Sequence, residues 1–309
     1  MSIDGTRITL WCFVQGSSSI FKVKIGTNND IDDLKKAIKS KKPNDTAGVD
    51  ADKLSVVFDE SINKLRITGN PSIGKTFFGY YLLYQLALQD ATVVYDNYNE
   101  TDPIVFEGEK GAFTSYSISI KTYLQNKDVW YIVDGKEPKN VNAKTILICS
   151  SRREHYKHFD EYSGTVAIRY MPTWSWKEIK SCRQVLYEDR VTPELAKDLY
   201  SKWGGIPRYV LERANDVTHQ AKLNEAIKGS KGDIFDDIGE SCIERSKFSH
   251  MIVHINVNHP VENDNKDENG KIPYTIVTIK FASDYVKEQV TDQLEERIRE
   301  RLLEQTKQA

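Results

Sequence analysis

The feature that most constrains this chain is a glycine-containing loop at residues 69–76, which fits the pattern GxxxxGK[ST] at every fixed position. In such a loop the glycines let backbone N–H groups converge on phosphate oxygens, the lysine reaches the β/γ-phosphates and the hydroxyl holds Mg²⁺. Because the pattern is short, its flanks decide its meaning. Residues 64–68 alternate like a strand, and residues 76–88 form a proline-free apolar run that predicts a buried helix. Strand, loop and helix therefore follow in the order that directs a helix N-terminus at phosphates.

This loop defines the predicted nucleotide site. We expect Lys75 to neutralise phosphate charge and Thr76 to hold Mg²⁺, with ATP as the nucleotide. The residues predicted to bind the cofactors ATP and Mg²⁺ are Gly69, Asn70, Pro71, Ser72, Ile73, Gly74, Lys75 and Thr76. The competing interpretation is a glycine-containing turn that matches the pattern by chance.

A second signal lies at residues 129–134, an apolar run that ends in an aspartate. A Walker B strand has this pattern, and Asp134 at its carboxyl end would hold the Mg²⁺ shell directly or through water. The alternative is an ordinary buried strand closed by an Asp-Gly turn. Gly135 and Lys136 stand where an acidic neighbour is usual, so Glu137 is the nearest candidate to orient a hydrolytic water. The sequence supports nucleotide binding better than turnover.

Four further segments have weaker patterns. Residues 102–111 are rich in turn formers, and residues 144–151 predict a strand ending in two serines, which either sense a phosphate or have no role. Trp174 lies at the start of a helical region that we interpret as a small lid, with the indole in its core. Residues 203–208, with the sequence WGGIPR, predict a turn between helices.

Length and composition narrow the function classes. With 309 residues the chain suits two ordinary domains, or one larger domain with an appendage. A formal net charge of −2 gives no global reason to expect nucleic-acid binding. Four scattered cysteines without metal-ligand spacing are interpreted as reduced thiols, which favours a cytosolic or nuclear environment. No apolar run reaches transmembrane length, so we expect no membrane partner.

The N-terminal segment has the pattern of a small β-grasp. Residues 8–14 and 20–25 predict a hairpin, residues 31–39 a helix and residues 54–58 another strand, which is the order of elements in a ubiquitin-like fold. Four blocks in this segment, LWCFV, FKVKI, DLKKAIK and DADKL, resemble the N-terminal domain of Crinkler effectors of oomycetes and some fungi. This resemblance implies secretion and delivery into a host cell, with the host nucleus as one destination.

The resemblance extends into the nucleotide-binding segment. Residues 65–214 resemble the P-loop NTPase domain that follows the N-terminal domain in Crinklers, similar to retrotransposon hot spot proteins and STAND-like ATPases, in the stretches GNPSIGKT, VVYD, YIVDGKEP, RYMPTWSW and KWGGIPRYVLE. It implies that Arg208 senses the γ-phosphate. In that group a restriction-endonuclease-like domain commonly follows. Here residues 252–257 and 274–281 predict strands and residues 283–308 a helix, without an Asp…Glu-x-Lys nuclease constellation.

Together these features predict an α/β fold with three parts. They are a small ubiquitin-like β-grasp domain at residues 1–60, a P-loop NTPase domain with a mainly parallel sheet and a helical lid at residues 61–220, and a short α+β tail at residues 221–309. We interpret the tail as a truncated effector or nuclease-like region.

The leading hypothesis is an ATP- and Mg²⁺-binding NTPase of a secreted Crinkler-like effector. Its predicted catalytic residues are Lys75, Asp134, Glu137 and Arg208, and its predicted metal ligands are Thr76 and Asp134. The rival is a non-catalytic effector whose nucleotide is structural and whose output is binding a host nuclear protein or nucleic acid. A third hypothesis has an intact ATPase drive a nuclease lost by truncation. The sequence leaves the oligomeric state open.

Overall fold

The computed structural model describes residues 62–108, 111–114, 117–150, 156–161, 166–238, 249–260 and 267–308, together with the backbone of two strands in the first 26 residues. The strands are β1 (Arg7–Phe13), β2 (Ile20–Gly26), β3 (Lys64–Gly69), β4 (Val93–Asn97), β5 (Ile104–Glu107), β6 (Gly111–Thr114), β7 (Trp130–Asp134), β8 (Lys144–Ile148), β9 (Val166–Met171), β10 (Val253–Val257) and β11 (Val277–Phe281). The α-helices are α1 (Lys75–Leu88), α2 (Ser117–Gln125), α3 (Lys157–Glu161), α4 (Trp176–Leu186), α5 (Pro193–Trp203), α6 (Val217–Gly229), α7 (Ile234–Asp237) and α8 (Asp284–Gln308), and a π-helix (Arg208–Glu212) lies between α5 and α6.

The chain divides into two compact units. One unit consists of Met1–Thr68 with Gly74–Arg169, and the other consists of Gly69–Ile73 with Tyr170–Ala309. The division falls inside the glycine loop, because the first residues of the loop make their contacts with the C-terminal part of the chain.

A seven-stranded sheet in the order β6-β5-β4-β7-β8-β3-β9 forms the centre of the first unit. Strands β4, β7, β8 and β3 are parallel, whereas β5 and β6 extend the sheet as an antiparallel pair. This confirms the predicted α/β fold with a mainly parallel sheet. Since β3, β7 and β8 are parallel neighbours, the strand before the glycine loop and the strand that ends at Asp134 finish at the same edge.

Side chains of the central strands alternate between two hydrophobic clusters. Tyr131 of β7 packs in a cluster with Leu124 of α2. The next residue, Ile132, packs in another cluster with Leu82 of α1. Successive side chains of a strand point to opposite faces, so the sheet is covered on both sides. The central strands β7 and β8 are accordingly mainly apolar runs in the sequence, which made them easy to predict.

The prediction of turns at residues 102–111 was wrong for much of this segment. The structure forms β5 and β6 there, with Val93 of β4 opposite Phe106 of β5 and with Val105 fully buried. Both strands have four residues, and the glycines and charged residues between them hide the alternation of so short a pattern. Pairing with β4 stabilises β5, and pairing with β5 stabilises β6, which is a tertiary effect. Patterning also missed β9.

The second unit contains helices α4 to α8 and an antiparallel hairpin of β10 and β11, with Ile255 opposite Ile279. The hairpin and α8 confirm the strands and the helix predicted for the tail. Helix α4 begins at a capping box, in which Ser175 accepts from the N–H of Glu178 and the Glu178 carboxylate accepts from the N–H of Ser175. The lid role of these helices and the nuclease-like character of the tail stay predictions.

The predicted N-terminal hairpin is confirmed, because β1 and β2 pair in antiparallel register. The helix predicted at residues 31–39 and the strand predicted at residues 54–58 lie outside the described residues. The ubiquitin-like fold of the N-terminal segment therefore stays a prediction, and so do the domain boundaries after residues 60 and 220.

Candidate nucleotide-binding site

The backbone of the glycine loop turns through three residues with positive φ angles, Gly69 at 142°, Ser72 at 66° and Gly74 at 99°. Glycine reaches such angles without strain because it has no Cβ. At Gly69 a Cβ would also lie 2.6 Å from the carbonyl oxygen of Met171, so a side chain does not fit. Ser72 holds a conformation that is uncommon outside glycine, and such strain clusters at ligand-binding sites.

Helix α1 begins directly at the loop, at Lys75. Its N-cap residue is Gly74, which has no side chain that could cap the helix. The N–H groups of a first helical turn have no partners within the helix, and the helix dipole places partial positive charge there. The loop and this helix end are therefore suited to hold an anion.

Asp134, the last residue of β7, is 4% exposed. Burial raises the pKa of its carboxyl group, while hydrogen bonds with Thr76 and Tyr95 and the positive charge of Lys75 act to lower it. The Tyr95 hydroxyl donates to Asp134 Oδ2 across 3.5 Å. Three predicted site residues, Lys75, Thr76 and Asp134, are thus brought together, and Tyr95 joins them without having been predicted.

Replacing Tyr95 with phenylalanine should raise the pKa of Asp134 further, because the hydroxyl stabilises the ionised carboxylate. The bond is long, so we expect the free energy of unfolding to fall by only about 0.5 kcal/mol. Carbon-13 NMR titration of the Asp134 carboxyl measures the pKa, and denaturant unfolding measures the stability. Tyr98→Phe, at an exposed tyrosine, is the matched control. An unchanged titration of Asp134 in Tyr95→Phe would contradict the assigned bond.

Lys136, which stands where an acidic residue is usual, forms an ion pair with the buried Asp96 at the end of β4. Asp96 also accepts a hydrogen bond of 2.9 Å from the Tyr131 hydroxyl. β4 and β7 are neighbours that pair Asn97 with Asp134, so the ion pair belongs to the same end of the sheet. A buried carboxylate needs such a partner, which gives Lys136 a structural role.

The remaining predicted residues of this edge are placed less closely. Glu137 is exposed in the segment after β7, followed by the buried Pro138. Ser150 follows β8 and is half-buried, whereas Ser151 lies outside the described part of the chain. The roles of Glu137 in water orientation and of the serines in phosphate sensing stay predictions.

Arg208 contacts the glycine loop. Its Nη1 donates to Ser72 Oγ at 3.0 Å, and its Nε lies 3.5 Å from the Glu212 carboxylate. Arg208 is the first residue of the π-helix. Its carbonyl oxygen accepts a hydrogen bond of 2.7 Å from the N–H of Arg213, which spans the π-helical turn. π-Helical turns are rare and occur frequently at functional sites. The arginine that the family resemblance singled out thus lies against the loop.

The turn before Arg208 packs closely against Trp174, which also contacts the glycine loop. A Cβ on Gly205 would overlap the carbonyl oxygen of Trp174. The backbone N–H of Trp174 donates to the carbonyl oxygen of Gly205 at 2.8 Å. The indole Nε1 of Trp174 donates to the carbonyl of Ile73 at 2.9 Å. Trp174, expected as a core residue, is only partly buried and also fixes the loop backbone.

Sequence reasoning missed the contact of Asn70, whose side-chain amide forms hydrogen bonds with the backbone of Ile255. Because that amide is engaged with Ile255, we expect a phosphate to be met by the backbone of Asn70. No local signal distinguishes this residue, since its partner lies 185 positions further along the chain.

Comparison with known proteins identifies the N-terminal segment of the chain. Residues 8–65 match the Crinkler effector protein N-terminal domain. This segment of the chain is therefore similar to the N-terminal domain of Crinkler effectors. The match covers the four N-terminal blocks from which the resemblance was inferred, so that prediction is confirmed.

Similar proteins extend the likeness beyond the N-terminal domain. Crinkler effector proteins 15 and 16 of Phytophthora infestans are each 24% identical to it over 205 residues, 63% of this chain and 32% of each relative. Crinkler effector protein 108 of Phytophthora sojae is 48% identical over 50 residues, 16% of this chain and 6% of that protein. This chain therefore spans about a third of the length of the first two relatives.

Solved structures offer a weaker likeness. The RuvB Holliday junction branch migration motor of Thermotoga maritima is 12% identical, covers 57% of this chain and 60% of its own, and has a TM-score of 0.33. A score of this size is too low to support an argument about fold or function. Within the described part of this chain, no helix combines the length and the apolar character needed to cross a membrane.

Proposed function

We propose that this chain is a P-loop NTPase module that binds ATP together with Mg²⁺. The observation that carries the proposal is the hydrogen bond between Thr76, the last residue of the glycine loop, and the buried carboxylate of Asp134. In P-loop NTPases a Ser or Thr of the loop and a Walker B aspartate hold Mg²⁺ together. The positive charge of Lys75 acts on the same carboxylate, which completes the set of groups that this chemistry uses.

The donor set of the site fits Mg²⁺. This ion prefers oxygen ligands and is usually bound by one or two carboxylates with substrate phosphates and waters. Thr76 and Asp134 supply a hydroxyl and a carboxylate, and a cation would offset the cost of ionising the buried Asp134. In the ranges that the structure describes, no group of three or more His, Cys, Asp or Glu side chains could hold a metal ion alone. Phosphate oxygens and water would therefore complete the coordination.

The loop and two cations would hold the triphosphate. The positive φ angles of Gly69 and Gly74 give the loop a shape in which N–H groups can converge on an anion. Lys75 would offset the charge of the β- and γ-phosphates. Arg208, which is tied to the loop by its bond to Ser72, would sense the γ-phosphate, because a guanidinium suits phosphate oxygens.

Hydrolysis would require little covalent chemistry from the protein. Phosphoryl transfer depends on positioning and on electrostatic stabilisation of an in-line attack. We assign orientation of the attacking water to Glu137, the first acidic residue after Asp134, which is exposed to solvent. This assignment is the part of the proposal that an activity measurement decides.

Steady-state ATP hydrolysis with Mg²⁺, measured beside an ATP-binding titration, tests the proposal. We expect Glu137→Gln to lower kcat about 100-fold while leaving the affinity for ATP unchanged, because a positioned base contributes about 10²–10⁴-fold. Glu188→Gln, at an exposed glutamate of the turn after α4, should retain both properties. Equal turnover by Glu137→Gln and wild type would show that another group orients the water.

A non-catalytic effector is the second candidate, and one observation favours it. The residues directly after Asp134 are Gly135 and Lys136, and the ammonium group of Lys136 is paired with Asp96. In this alternative the nucleotide is a structural ligand, and the output is binding a host nuclear protein or nucleic acid. Tight ATP binding without turnover in the assay above would select it. Loss of both binding and turnover in the wild type would refute both candidates.

We extend the proposal to the place of action. The relatives in Phytophthora are named effectors, and we propose that this protein is secreted, enters a host cell and acts there, with the nucleus as one destination. Imaging of the tagged full chain in host cells tests this proposal, and retention outside the cells would contradict it.

A further inference from the structure

The side chain of Asn70 joins the glycine loop to the C-terminal hairpin. Asn70 is fully buried, with 0% of its surface exposed. Its Nδ2 donates to the carbonyl oxygen of Ile255, and its Oδ1 accepts from the N–H of the same residue, both at 2.9 Å. Both residues belong to the second compact unit. A single amide side chain thus satisfies both backbone groups of one strand residue.

These two bonds imitate a neighbouring β-strand. β10 pairs with β11 on one side, where Ile255 lies opposite Ile279. The N–H and C=O of one strand residue point to the same side, so the groups bonded to Asn70 lie on the edge that β11 leaves uncovered. Ile255 is only 3% exposed, and buried backbone groups require partners. Asn70 supplies these partners at the free edge of β10, so its two hydrogen bonds fix the position of the loop relative to the hairpin.

A second path of contacts leads from the loop to the same hairpin. Ser72 accepts a hydrogen bond from Arg208, which follows the Gly204–Gly205 turn. A Cβ on Gly204 would lie 3.2 Å from Cε1 of His254, the residue before Ile255 in β10. The turn therefore packs closely on the strand that Asn70 binds. The glycine loop, the turn together with Arg208, and the hairpin therefore each contact the other two within the second unit.

We propose that Asn70 is a positioning residue that holds the glycine loop on β10 and transmits occupation of the loop by a nucleoside triphosphate to the β10–β11 hairpin. The inference rests on the proposed nucleotide binding. A ligand that draws the N–H groups of the loop together restrains Asn70, and Asn70 in turn restrains the backbone of Ile255. Loop and hairpin then become rigid together, so the tail is part of the nucleotide-binding machinery.

Amide hydrogen exchange of the full chain, with and without saturating ATP–Mg²⁺, tests this inference. In the wild type we expect ATP to slow exchange of the Ile255 amide about tenfold, because that N–H exchanges only when its bond to Asn70 opens. Asn70→Ala should weaken ATP binding about tenfold, since the loop loses two buried hydrogen bonds. In this variant, saturating ATP should no longer slow exchange at Ile255. A merely structural role would lower stability without removing that dependence on the ligand.

Asn258→Ala is the matched control. Asn258 follows β10, and its side chain bonds the backbone of Ile272 at 2.9 Å, Thr275 at 3.0 Å and Ile276 at 2.9 Å, all within the hairpin connection. This variant should bind ATP like the wild type and keep the slowed exchange at Ile255.

Two results would overturn the inference while leaving the proposed function intact. One is wild-type protein that binds ATP with no change in exchange at Ile255, a comparison that needs no variant to fold. The other is wild-type ATP affinity in Asn70→Ala. Wild-type protein that binds no ATP would instead refute the proposed function, and the inference would fall with it.

Discussion

Replacing Lys75 with alanine is expected to lower the affinity for ATP–Mg²⁺ about 100-fold. A hydrogen bond to a charged partner contributes about 1.5–3 kcal/mol, and each 1.4 kcal/mol corresponds to about tenfold in affinity. We expect the upper end of that range because Lys75 has two roles at the site. It would neutralise phosphate charge, and its charge already acts to lower the pKa of Asp134, the residue expected to hold Mg²⁺. Without Lys75, less positive charge offsets the ionised carboxylate of the buried Asp134.

Titration of ATP into the purified full chain measures this effect, and thermal unfolding in the absence of ATP shows whether the variant is folded. Lys121→Ala is the control, since Lys121 is an exposed lysine on α2. It removes the same charge without touching the loop and should bind ATP like the wild type. Retained affinity in Lys75→Ala would mean that the glycine loop is not a phosphate site, which would remove the basis of the proposed function.

Replacing Asp134 with asparagine is expected to have opposite effects on stability and on binding. Burial raises the pKa of Asp134 above its usual value, so the folded state disfavours the ionised carboxylate compared with the unfolded chain. This penalty is fully present above the folded-state pKa, declines as the pH falls below it, and is gone below the ordinary pKa of an aspartate. Asparagine keeps the shape without the charge. The variant without ligand should therefore melt at a higher temperature at pH 7, by about 2–4 °C for each kcal/mol of penalty removed.

The same substitution should abolish stabilisation by ATP–Mg²⁺, because the amide no longer offers an anionic oxygen to the metal. Melting temperatures between about pH 4 and 8, with and without ATP–Mg²⁺, test both effects. The excess stability of the ligand-free variant should shrink as the pH falls. Asp128→Asn, at an exposed aspartate before β7, should change neither property. A ligand-free Asp134→Asn protein that melts lower than the wild type at pH 7 would contradict the penalty.

Local patterns were sufficient to predict the elements that carry the candidate site. The strand before the loop, the helix after it and the strand that ends at Asp134 are each specified within a few neighbouring residues. Both strands are buried, but β7 is an apolar run that ends at Asp134, whereas β3 alternates apolar and polar residues. The glycines at positions 69 and 74 are required by positive φ angles, which are properties of the loop itself. Short strands such as β5 escaped prediction because their stability comes from pairing with neighbouring strands.

The sequence by itself determined which residues could form a phosphate loop and which aspartate could serve it, because both follow from periodicity and from the conformational freedom of glycine. Only the tertiary structure decided what surrounds them. It paired Lys136 with Asp96, brought Tyr95 to Asp134, and joined Asn70 to a strand 185 residues away. These contacts link side chains whose neighbours in the sequence do not distinguish them. They form because buried polar groups must find partners, and the partner that is near in space depends on how the whole chain packs.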